Sequence, residues 1–187
     1  IHQYNSAVHL IYNGYDPAQF YAEDIPTATF RISYIGRIYA FQSTALVEKA
    51  VRELNLLNVE LNTHTPDRDP IPLNEVGNEL RHSCMALVLT NPNAKGMMTT
   101  KFFEAFGCEK PILCTPSDNG VLAQTIRDTH AGLASSDLNE IKEFILDKYH
   151  EWQQNGFTHQ AVKNKEQFSR EKQAQQFEQL FFETLKH

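Results

Sequence analysis

The sequence predicts an α/β protein of the Rossmann-like class: a three-layer α/β/α arrangement around a parallel sheet of about five or six strands, with a long C-terminal helix. Three observations carry that expectation. From Thr29 onward, short apolar runs alternate with amphipathic stretches. One run, Met85-Ala86-Leu87-Val88-Leu89, is apolar without a break, as a strand buried on both faces requires. The helical stretches fall between the strands, and parallel neighbours need such crossovers.

Phe30-Arg31-Ile32-Ser33-Tyr34-Ile35 mixes β-branched and aromatic residues and stops at Gly36, which marks a first strand. Ser43 to Leu57 sets Ala45, Leu46, Val47, Ala50, Val51, Leu54 and Leu57 at helical spacing behind Ser43, a suitable N-cap. Val59 to Thr63 alternates as a second strand. A Pro- and Asp-rich loop, Thr65 to Pro72, leads to a helix over Leu73 to His82, and the Met85 run is the third strand.

Thr90 to Thr99 is a loop rich in Asn, Pro and Gly. A short helix over Thr100 to Phe106 follows, with Gly107 suited to its C-terminal cap. Pro111 to Cys114 is the next strand, Val121 to Asp128 the next helix, Ala131 to Ala134 a short last strand, and Leu138 to Tyr149 a helix begun by Asp137. Thr158 to Leu185 is rich in Gln, Glu and Lys. Phe168, Phe177, Phe181 and Leu185 form one narrow stripe there, which predicts a long helix lying against a larger body. A solvated terminal helix on its own domain is the alternative.

At 187 residues and 21.4 kDa the chain is one large domain or two small ones. Lys and Arg number 17 against 23 Asp and Glu, a net charge of −6. That balance argues against a dedicated nucleic-acid or anionic-membrane protein. Cys84, Cys108 and Cys114 form no CxxC pair and read as free thiols in a reducing compartment. No apolar run approaches the roughly 20 residues that span a bilayer. The chain opens on Ile1 without a basic-then-apolar leader, which predicts a piece of a longer protein.

In an open parallel sheet, ligands bind beyond the carboxyl ends of the strands, where helix N-termini present unpaired amides. Two positions qualify. Gly36-Arg37 follows the first strand directly; the glycine admits close backbone approach and the arginine suits a phosphate. The second is Asn93 to Glu104, whose loop and helix start, Met97-Met98-Thr99-Thr100, can cradle a diphosphate through N–H groups. Glu104 shares a helical face with Lys101. Its carboxylate can accept two hydrogen bonds from a ribose diol, while Lys101 offers charge to phosphate or sugar. An ordinary surface ion pair between the two is the alternative reading.

Other chemistries lack their signatures. There is no GxGxxG after the first strand, no GxxxxGK[ST] and no GxSxG. His82 and Cys84 stand alone without further ligands at metal spacing, so no metal is expected. Asp16, Asp24, Asp67 and Asp69 sit in loops, where turn formation is the expected role. A flavodoxin- or receiver-type interaction module would need acids at the end of the first strand, where Gly36-Arg37 is the opposite.

Four stretches together resemble the C-terminal domain of glycosyltransferases of the GT-B fold, in particular the retaining, family-4-like group. Ile11-Tyr12-Asn13-Gly14-Tyr15-Asp16-Pro17-Ala18-Gln19-Phe20 is similar to the family's interdomain signature, and Tyr34-Ile35-Gly36-Arg37 to its "GR" turn. Lys101 to Leu113 (KFFEAFGCEKPIL) resembles the donor-binding helix and the strand after it, and Gly132-Leu133 and Phe168-Ser169 fit later elements. The resemblance implies a nucleotide-sugar donor, UDP- or GDP-linked, with no metal and no separate cofactor. Glu104 would hold the ribose hydroxyls, Arg37 the diphosphate, and the amides of Met97 to Thr100 the diphosphate or sugar. It further implies a donor-binding half over residues 29–155, a junction over 1–28, and a tail over 156–187 packing toward an N-terminal domain outside this chain. That other domain would supply most catalytic residues and the acceptor, a glycan or lipid-linked sugar. A bacterial, cytoplasmic enzyme of surface polysaccharide or glycolipid synthesis, peripheral at the inner face of the plasma membrane, is the expected setting.

Three departures stand beside this resemblance, and two of them, Gly96 and Gln42, favour a non-catalytic relative as the alternative. The family often has a glutamate eight residues before the one matched by Glu104, and Gly96 stands there. Gln42 sits near the place of a family lysine. The interval from Gly36 to Met85 looks short by about one strand-helix unit.

Overall fold

The computed structural model describes residues 8–185; the first seven residues of the expected junction and the last two of the expected tail lie outside them. Five strands build one parallel sheet: β1 (Phe30–Ile35), β2 (Val59–His64), β3 (Met85–Leu89), β4 (Ile112–Thr115) and β5 (Gly132–Ala134). Their order is β2-β1-β3-β4-β5. The register sets Ile32 beside Met85, Ala86 beside Ile112, and Ile112 beside Gly132. Among the described residues six α-helices accompany the sheet: α1 (Ala45–Leu54), α2 (Val76–Arg81), α3 (Thr100–Gly107), α4 (Val121–Asp128), α5 (Leu138–Asn155) and α6 (Arg170–Thr184). The expected α/β class holds.

Alternation along β3 divides its residues between two cores. Ala86 and Val88 meet Val76 and Leu80 of α2, Phe102, Phe103 and Phe106 of α3, and Leu122 and Ile126 of α4. Met85, Leu87 and Leu89 meet Val47 and Ala50 of α1 and Ile141 and Ile145 of α5. All five are buried, which is why this strand reads as a continuous apolar run.

The interval between Gly36 and Met85 holds α1, β2, a 3-10 turn at Leu73–Glu75 and α2, two complete crossovers, as the sequence reading has it. Several boundaries differ from that reading. α5 runs on past Tyr149 to Asn155 because Trp152 packs edge-on against Phe30 and donates to the Thr27 carbonyl at 3.1 Å; Gly156, at φ 81°, then closes it. Gly107 ends α3 rather than capping it, and the left-handed residue is Glu109 at φ 52°. The glycine is needed for room: a Cβ there would lie 2.7 Å from the Tyr15 ring.

The tail is two pieces, not one helix. Residues 157–164 run along the surface, with Gln160 N–H donating to the Glu109 carbonyl at 2.9 Å and Lys163 N–H to that of Thr129 at 2.7 Å. A 3-10 turn at Lys165–Phe168 then drops Phe168 among Phe102, Phe103 and Phe106, with ring centroids 5.4–6.2 Å away. Ser169 caps α6 by accepting from the Lys172 amide. Phe168 therefore belongs to the core, while Phe177, Phe181 and Leu185 remain exposed. The junction segment is anchored too. Tyr15 and Phe20 are buried against α3, and Tyr15 exchanges two backbone hydrogen bonds with the Phe168–Arg170 segment. Asp16 forms the expected turn, its Oδ1 accepting from the Ala18 amide at 2.9 Å.

Candidate functional site

The chain reverses direction across the sheet between β1 and β3, because β2 lies on one side of β1 and β3 to β5 on the other. Doubly wound sheets open a crevice at such a switch point, beyond the carboxyl ends of the strands. Here it is a cavity of about 330 Å³. The loop after β1 contributes Tyr39, Phe41 and Gln42; β3 and the loop after it contribute Leu89, Thr90, Asn91, Ala94, Met97 and Met98. Thr99 and Lys101 belong to the start of α3, and Asp118 lies before α4.

Four of the expected residues, Met97, Met98, Thr99 and Lys101, line this cavity. Thr99 occupies the N-cap position of α3 in extended conformation without capping it, and its buried hydroxyl has no hydrogen-bond partner. Thr100, exposed, begins the helix. The amides of Thr100 and Lys101 have no acceptor within α3, as the geometry of a helix start dictates. The positive end of the helix dipole thus lies at the cavity, beside a hydroxyl that is buried rather than open to it.

Lys101 connects two spaces. It lines the cavity and also a narrow recess of about 10 Å³ shared with Ser33, Ile35, Val76, Leu80, Ala86, Leu87 and Glu104. Its ammonium lies 5.6 Å from the centre of the Tyr34 ring, and a Cβ on Gly36 (φ 124°) would fall 2.7 Å from its Cε. Gly36 is therefore the residue that lets the lysine stem lie flat across the end of β1. Burial pushes the Lys101 ammonium below its ordinary pKa, against the pull of Glu104. Burial likewise pushes the Glu104 carboxyl up, opposed by Lys101 and Arg170. No salt bridge joins Lys101 to Glu104 among the described residues, so the ordinary surface pair is not formed.

The remaining expected residues stand apart from the cavity. Glu104 faces the recess, which holds no more than about one water. Arg37 is exposed beyond β1, and its carbonyl accepts from the Tyr34 hydroxyl at 2.6 Å. Gly96 has nothing within 4 Å of where a Cβ would sit.

Asp118 and the pair Tyr39 and Phe41 escaped the sequence reading, and Gln42 entered it only as a departure from a family lysine. Asp118, buried, accepts from the amides of Ala123 at 2.9 Å and Leu122 at 3.3 Å and so caps α4. Gln42 donates to the Leu89 carbonyl at 2.6 Å and accepts from the Tyr39 amide at 3.0 Å, tying the loop after β1 to the end of β3. Tyr39 and Phe41 stack on each other with centroids 5.6 Å apart. Two aromatics in a short loop beside a strand's end were a usable signal. Asp118 gave none, because its partners are fixed only by folding.

No protein-family model matches the sequence, and no curated protein matches it significantly. Solved structures do match. One is the C-terminal domain of a glycosyl transferase group 1 family protein (LpcC) from Francisella tularensis. It is 15% identical, with a TM-score of 0.56, over 81% of this chain and 94% of that one. The two share a fold. The resemblance carried by the motifs thus extends to the architecture as a whole. Among the described residues, no three or more His, Cys, Asp or Glu side chains are grouped to hold a metal, and no helix is long and apolar enough to cross a membrane.

Proposed function

We propose that this chain is the donor-binding half of a glycosyltransferase. It holds a nucleoside-diphosphate sugar, UDP- or GDP-linked, whose sugar passes to a glycan or lipid-linked acceptor bound by another domain. One observation carries the reading: the uncapped start of α3, with Thr99 and Lys101, lines a cavity at the sheet's switch point. A departing nucleoside diphosphate gains negative charge, and amides with a fixed ammonium stabilise that charge as it develops. No metal is required by that chemistry. Arg37 adds a second cation at the rim, and Glu104 holds the ribose once the recess opens. The chain alone binds donor and does not transfer sugar. A cytoplasmic setting, peripheral at the inner face of a bacterial plasma membrane in surface polysaccharide or glycolipid synthesis, fits this reading.

A second reading, a relative that keeps the fold without productive donor binding, is favoured by the closed recess at Glu104 and by the commitment of Gln42 to Leu89. Calorimetric titration with uridine, guanosine and adenosine diphosphates separates the two. Micromolar binding lost in Glu104→Ala supports the donor domain. Absence of binding to all three supports the second reading.

A further inference from the structure

The cavity at the switch point is lined unevenly. Its polar groups are mostly spent inside the protein: Gln42 on Leu89 and Tyr39, Thr90 on the Pro116 carbonyl, Asp118 on the start of α4. The Thr99 hydroxyl is left bare. The same cavity carries an apolar lip of Tyr39, Phe41 and Met97, each about half exposed, at 52%, 55% and 47%.

The lip is built. Tyr39 and Phe41 lie parallel within 3°, an offset stack that leaves outer ring faces free. The turn that carries them is closed by Gln42 N–H donating to the Tyr39 carbonyl at 2.8 Å, and the Gln42 side chain pins it to β3. A platform held ready in this way loses little conformational freedom on binding.

Which part of the ligand meets it follows from the order of the donor's groups, and this step rests on the donor-domain reading. A nucleotide sugar is linear: nucleoside, diphosphate, sugar. Lys101 lies between the recess of Glu104 and the cavity, lining both. With the diphosphate at Lys101 and the helix start, and the ribose on the Glu104 side, the group beyond the diphosphate in the cavity is the sugar. The space, about 330 Å³, is at the small end of ligand pockets and suits one ring rather than a whole nucleotide sugar.

We propose that Tyr39 and Phe41 are a stacking platform for the transferred hexopyranose and that they set which sugar the site accepts. An aromatic face is electron-rich and attracts the C–H bonds of a pyranose face. The platform then orients the sugar by its apolar face. The Gln42 side chain, bonded to the Tyr39 amide and the Leu89 carbonyl, holds the platform in place.

The test is calorimetry on the full chain and on Tyr39→Ala and Phe41→Ala, both at exposed positions. The ligands are uridine and guanosine diphosphates beside UDP-glucose and GDP-mannose. The sugar should tighten wild-type binding of at least one pair, and each variant should lose roughly three- to tenfold for the conjugate alone. Equal loss for diphosphate and conjugate, or no loss, overturns the platform. A saturation-transfer NMR experiment with millimolar free glucose, mannose and galactose keeps the two readings apart. If no diphosphate binds but a free hexose receives saturation in the wild type and not in the variants, the platform stands and the donor reading falls. If neither binds, both fall.

Discussion

Two helices begin side by side at the carboxyl edge of the sheet, and they are finished in opposite ways. α3 follows β3 and α4 follows β4, and each is eight residues long. At α4 the buried Asp118 accepts from the amides of Leu122 and Ala123, while the Val121 amide donates to the Lys95 carbonyl. Its first N–H groups are all used inside the protein. At α3 Thr99 has a side chain of capping type whose hydroxyl bonds nothing, and the first amides of the helix have no acceptor within it. The dipoles are equivalent, so a helix start by itself marks no site. What distinguishes α3 is that its cap has been left undone beside a half-buried lysine.

The largest effect should come from the charge behind the open start. Lys101→Met keeps the stem and removes the ammonium. Binding of a nucleoside diphosphate should weaken by about 1.5–3 kcal/mol, the range for hydrogen bonds to charged groups, while nucleoside binding stays unchanged. Arg37→Ala, read in the same titration, is expected to show the same selectivity. Equal losses for nucleoside and diphosphate would mean that these side chains only shape the cavity.

The next effect belongs to the closed start. Asp118→Ala strips α4 of its cap and should cost about 1–2 kcal/mol in urea denaturation. Thr99→Val at the open start should change stability by less than about 0.5 kcal/mol, since no bond inside the protein is lost, yet weaken diphosphate binding. A Thr99 variant as unstable as the Asp118 variant would erase the distinction between the two helices.

Much of this contrast was legible in the sequence, and some was not. The Met85 run, the helix over Val121 to Asp128 and the short helix from Thr100 could be read because burial imposes a local period on them. The end of α5 was hidden, since its last turns are polar and only the indole of Trp152, reaching back to Phe30 and Thr27, extends the helix. Phe168 fell in with the tail's apolar stripe by spacing, whereas a pairing with Tyr15, far away in the chain, pulls it into the core. At the site, Met97 to Lys101 were visible as a loop entering a helix. The roles of Gln42 and Asp118 depend on partners that the local sequence does not specify, and the separation of Glu104 from the cavity depends on where one lysine stem lies.

Glu104 gives the smallest expected change in stability and the sharpest sign. Burial holds its carboxyl above the ordinary range, so the native chain keeps that proton to higher pH than the unfolded chain does. Stability therefore falls as pH rises from the ordinary carboxylate range toward the raised native value, and it stays lowered above that. Below about pH 4 the acid is largely neutral in both states and the penalty is gone. Glu104→Gln removes a desolvated charge that Lys101 and Arg170 compensate only in part. The variant should melt above the wild type near neutral pH and together with it in acid, while binding a ribose-bearing diphosphate less tightly. Stability and affinity moving in opposite directions is what a group kept for a ligand should show. A Glu104→Gln chain that is less stable near neutral pH would instead make the carboxylate an internal structural partner of Lys101, and the recess would then belong to the core rather than to the site.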